Sequence, residues 1–292
     1  MKKIFSIFLA ACCIACLAAL PAMAAGPGDF APPANLNALS QAEQLAYFNL
    51  VANRVRAEKP GFKQRERSLI GGMYTSSASM QRLMESILSM TSGLFSEWTQ
   101  SAVAAGQSNE DFFLSKNTNA SDLRPEDIVS ISCEKVGGNW MIDLLVQEET
   151  NPAPGLDSAN ARIADILTRE SLLVGMEEVG ISADPADITV RHFNGFARVT
   201  VNTLGQVIVA TNGYQAEVQI DSVSVSTIVI PAVVITLNCE WQYAYFDWAA
   251  EEPFPPGHFS DPTPPPLKWW QRLPSWLQFI LRWIFFGWLW MN

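Results

Sequence analysis

The chain has 292 residues, of which 49% are hydrophobic and only 16% charged, where ordinary globular chains carry about 25% charged residues. All 29 acidic residues lie between Asp29 and Asp261, so both ends are basic and the body carries −15 of a net charge of −10. An acidic body excludes nucleic acid as a partner, because phosphate binding needs a basic face.

The first 24 residues read as a secretory signal peptide. Lys2 and Lys3 form a basic start, Ile4 to Leu20 an apolar stretch, and Ala22 and Ala24 a small-residue cleavage site. Leu9-Ala10-Ala11-Cys12 offers a rival, lipoprotein-type processing at Cys12. Only about five residues then separate the lysines from that box, against ~7–15 for an apolar core segment. Residues 25–36 are a Pro/Gly linker.

A single α+β domain is expected over 37–250. Ser40-Gln41-Ala42-Glu43 has the capping-box pattern. It opens a helix with Leu45, Phe48, Ala52 and Val55 on one face, stopped by Pro60-Gly61. A second helix is expected over 77–98, with Met80, Leu83, Met84, Ile87, Leu88 and Leu94 at helical spacing. From Asp127 the period becomes two. Residues 128–136 and 140–147 read as a hairpin about Gly137-Gly138-Asn139, with Trp140, Ile142, Leu144 and Val146 on one face. A helix is expected over 158–175, then strands over 188–193, 195–202, 206–221 and 232–245. Tyr214, Ala216, Val218 and Ile220 alternate there with polar residues, and alternation of that kind marks an antiparallel sheet with one wet face. The simplest architecture is a curved antiparallel sheet, half-barrel-like, with the helices on its concave apolar face.

With the signal removed, Cys133 and Cys239 remain. In an oxidising compartment the pair suggests a disulfide. Val129, Ile131 and Cys133 share one face of their strand, as do Val233, Ile235, Leu237, Cys239 and Trp241 of theirs. Two inward cysteines can pair if their strands are neighbours; the alternative is two buried thiols.

Residues 251–267 form a proline-rich spacer of polyproline type. Beyond it, residues 268–292 hold six of the ten tryptophans. Trp269, Trp270, Trp276, Phe279, Trp283, Phe286, Trp288 and Trp290 are the expected membrane contacts, since the amphipathic indole collects at membrane interfaces. A helix from Trp276 to Met291 spans about 24 Å, short of the roughly 30 Å hydrocarbon core, and Arg282 falls mid-way. That favours a helix lying in the interface over one that crosses.

Chemistry-bearing motifs are sparse. His192 lies in a strand and His258 in the spacer, without metal-ligand spacing. Glu148-Glu149 and Glu177-Glu178 are adjacent pairs that do not face each other. No phosphate loop, nucleophile elbow or zinc-protease motif occurs, and no cofactor is implied. The segments Ala46-Tyr47-Phe48-Asn49, Lys59-Pro60-Gly61-Phe62 and Glu149-Thr150-Asn151-Pro152, with the tail from Trp269 to Trp288, are similar to a set of uncharacterised exported proteins of anaerobic Gram-positive bacteria. The resemblance implies export and a cell-surface setting, and supplies no activity. The expected architecture also resembles half-barrel lipid carriers of bacterial envelopes, as an analogy of fold alone. The expectation is a non-catalytic, extracytoplasmic, membrane-associated module that binds an apolar ligand or a protein partner. A structural protein that oligomerises through its tail, and a hydrolase with a site assembled from scattered residues, are the alternatives.

Overall fold

The computed structural model describes residues 30–78, 81–82, 85, 98–109, 113–114, 121–153, 157–178, 181–225 and 228–248. The expected signal peptide, proline spacer and apolar tail helix lie outside the described residues, as does most of the helix expected over 77–98.

Helix α1 (Gln41–Glu58) starts where the capping box places it. The Glu43 N–H donates to Ser40 Oγ at 3.3 Å, and Glu43 Oε2 accepts from the Ser40 N–H at 2.9 Å. It ends at Lys59, in the left-handed region with φ 51°, whose N–H closes on the Val55 carbonyl; Pro60 then bars continuation. Leu45, Phe48, Val51, Ala52 and Val55 are all buried.

The strands are β1 (Gly61–Thr75), β2 (Thr99–Val103), β3 (Ile128–Val136), β4 (Asn139–Val146), β5 (Glu149–Thr150), β6 (Ile181–Ser182), β7 (Ile188–Val201), β8 (Val207–Val225) and β9 (Ile228–Asp247). They form one curled antiparallel half-barrel in the order β2-β1-β9-β8-β7-β4-β3, with β5 on β7 and β6 on β8. With α1 and a second described helix, α2 (Arg169–Glu178), the class is α+β.

The expected hairpin is β3–β4. Gly137 and Gly138 carry φ 58° and 90°, as the two central positions of a type I′ turn require. A bulge between Ile128 and Ser130 turns Ile128 inward and leaves Val129 exposed, so Val129 does not share the face of Ile131 and Cys133. The strand pair expected over 188–202 is one strand, β7, broken by a bulge at Asn194 with φ 52°.

Two further expectations are corrected. The helix expected over 158–175 is divided. Residues 160–162 form one 3-10 turn, because the Glu149 carboxylate accepts from the N–H groups of Ala159 and Asn160 and from the side chains of Ser158 and Asn160. The α-helix starts only at Arg169, where Thr168 and Ser171 cap each other. Cys133 and Cys239 are both free and buried. The reason is topological: β4, β7 and β8 separate β3 from β9, so the two inward thiols are not on adjacent strands. Burial pushes the Cys133 thiol up to about 11.

The concave face is packed. Trp140, Ile142, Leu144, Val190, Val199, Ala216 and Val218 meet α1 and the 159–167 segment, all within one core.

Candidate functional site: a bulged groove beside the ends of the described body

Strand β1 is rich in charge, and it sits between β2 and β9. Its outer face forms a ladder with β9. Arg65 Nε and Nη2 donate to Gln242 Oε1 at 2.8 and 2.5 Å, and Arg67 donates to Glu240 Oε2 at 3.1 and 2.6 Å. Gln242 Nε2 donates to Glu240 Oε1, joining the rungs. Both guanidinium groups lie over the Trp98 ring, 4.4 and 4.5 Å from its centre, in cation–π geometry. Inner-facing Glu66 accepts from Trp241 Nε1 at 2.8 Å.

The ladder ends at a break in β9. Tyr243 and Phe246 both reach the ring of Phe62, at 5.8 and 5.4 Å. Residues three apart cannot share a face of a regular strand. Tyr245 is the extra residue, with φ 58°. A bulky side chain in the left-handed region is an outlier that costs about 1–3 kcal/mol, and bulges re-aim side chains. A second break lies alongside in β8. Thr200 pairs with Val209 and Val201 with Val207, so Ile208 is extra.

Between the two breaks lies a half-open groove of about 480 Å³, within the ~300–1,000 Å³ range of ligand pockets. Arg65, Thr211, Gln242 and Tyr245 supply polar groups, and Ile208, Val209, Ala244 and Phe246 supply apolar surface.

The groove adjoins the place where the chain enters and leaves the body. Arg54, buried on α1, lies 4.4 Å from the Phe30 ring centre and 5.1 Å from that of Trp248. Its Nη1 donates to the Leu204 carbonyl at 2.6 Å, and its Nε donates to Glu58 at 2.7 Å. Trp248 Nε1 donates to the Val207 carbonyl, and Tyr47 Oη to the Phe30 carbonyl. Gly205, at φ 69°, leaves the space in which the Phe30 carbonyl sits.

The inner face carries a second polar cluster. His192 is fully buried, its ring 5.0 Å from that of Tyr214, and neither nitrogen is hydrogen-bonded among the described residues. Burial lowers its pKa to about 4, opposed by nearby Glu149. Tyr214 Oη donates to the Asp165 carbonyl and accepts from the Leu167 N–H. Ser158, Glu149 and His192 come near one another without forming a catalytic relay, because all four donors to the Glu149 carboxylate come from residues 158–160 and His192 is sealed from solvent. Glu148 instead pairs with Arg191 on the outer face.

Among the expected site residues, the structure separates Cys133 from Cys239, and the tail tryptophans and phenylalanines lie outside the described residues. Sequence reasoning missed Arg65, Gln242 and Tyr245. One signal for the break was available: Tyr245 and Phe246 place two aromatics in succession and disrupt the alternation that runs from Val233 to Tyr243. Among the described residues no helix is long and apolar enough to cross a membrane, and no group of three or more metal-ligating side chains assembles. Comparison with family models, curated proteins and solved structures yields no match to the chain.

Proposed function

We propose that the chain is a non-catalytic, exported module of the cell envelope, held at the membrane by residues 268–292, whose body offers the bulged groove to a ligand. The observation that carries this reading is the clustering of the groove with the Arg54 clamp. An aromatic residue with a strained backbone lines a ligand-sized hollow at the end of β9, on the side from which the sequence runs on to the tail. Strain of this kind concentrates at binding and catalytic sites. The ligand belongs in the groove rather than on the concave face, because α1 and the 159–167 segment fill that face.

The six tryptophans of residues 268–292 support the membrane attachment. Flotation of the full chain with phosphatidylglycerol vesicles tests it. The full chain is expected to float, and a chain ending at residue 250 to stay below. Recovery of the full chain in the aqueous fraction overturns the reading.

A further inference from the structure

We propose that the bulged groove binds a neutral saccharide chain; this deepens the reading of the body as an exported binding module and rests on it. A sugar ring has an apolar C–H face and a rim of hydroxyls that both donate and accept. The groove has matching parts. Ala244 and Val209 form an apolar floor, and both lie on the outer face, where they pair across β8 and β9. Tyr245 brings an aromatic ring to the same hollow only because the chain adopts φ 58° there. Arg65 and Gln242 are planar side chains joined by two hydrogen bonds, with Trp98 stacked on the guanidinium. Their orientation is therefore set before any ligand arrives, which lowers the entropic cost of binding. The Thr211 hydroxyl completes the rim.

Other ligand classes fit less well. Among the described residues no carboxylate lines the groove, which argues against a cation. A lipid acyl chain would strip water from the Arg65–Gln242 pair and from the Thr211 hydroxyl, and covering charged and polar groups with hydrocarbon is costly. The −15 charge of the body disfavours a strongly anionic polymer.

The test is calorimetric titration of the full chain in phosphatidylcholine nanodiscs with chitotetraose and with maltotetraose. At least one is expected to bind with a Kd at or below about 1 mM. Tyr245→Gly keeps the backbone conformation and removes the ring, so affinity should fall at least about tenfold while the melting temperature does not drop. Gln242→Ala, which leaves the bulge intact, should weaken binding several-fold and keeps the test decisive if the glycine variant misfolds. The proposal fails if neither tetrasaccharide titrates, if both variants bind as tightly as the parent chain, or if soluble dihexanoylphosphatidylglycerol binds in the groove and the sugars do not. None of these outcomes alters flotation with vesicles, so loss of the saccharide reading and loss of the membrane reading are told apart.

Discussion

The two faces of the half-barrel solve different problems with the same strands. Along β9 the inward residues Val233, Leu237, Cys239, Trp241 and Tyr243 are buried, and the Trp241 indole N–H donates to Glu66. The outward residues Glu240 and Gln242 are half-exposed and join Arg67 and Arg65 in a hydrogen-bonded ladder. The inner face holds the fold through burial. The outer face adds little stability per contact, so it can tolerate the strained turn at Tyr245. The contrast teaches that specialised geometry is found where it costs the core least.

That contrast can be broken from the inside first. Phe48→Ala on α1 removes a fully buried ring facing the sheet and should cost about 4 kcal/mol, read by urea denaturation. His192 comes next. Its pKa is lowered from 6.5 to about 4 in the fold, so the neutral ring is the native form. The unfolded chain binds the proton more readily between these values, and stability falls as pH drops through that window. The contribution is complete above about pH 6.5, and the loss approaches roughly 3 kcal/mol below pH 4. Denaturation curves between pH 4 and 7 should show this slope, and His192→Leu should flatten it.

Ser40→Ala removes the cap of α1 and should cost about 1 kcal/mol by the same measurement. On the outer face Arg198→Ala breaks the exposed pair with Asp143 and should change stability by less than about 1 kcal/mol. A large loss there would erase the distinction between the faces.

Much of the frame was legible in the sequence. The capping box of α1, the paired glycines of the β3–β4 turn and the alternation from Tyr214 to Ile220 act locally, and each appears in the fold. Strand β1 was not legible. Lys63-Gln64-Arg65-Glu66-Arg67 has no apolar face of its own, and its place depends on partners about 175 residues away in β9. The division of the 158–175 segment was hidden for a similar reason, since Glu149 takes up the backbone N–H groups at its start. At Tyr245 the succession of two aromatics marks a break, but nothing local requires a tyrosine to adopt a left-handed backbone. The pairing of β9 with β1, and the packing of Phe246 on Phe62, impose it.

The sandwich of Arg54 between Phe30 and Trp248 fastens the first and last described residues of the body to one guanidinium. A domain whose termini meet in this way can be spliced into a surface turn of another protein without stretching its host. A pull on either end of the described body would meet this one corner first, and the register of the long β8–β9 hairpin would be spared the load.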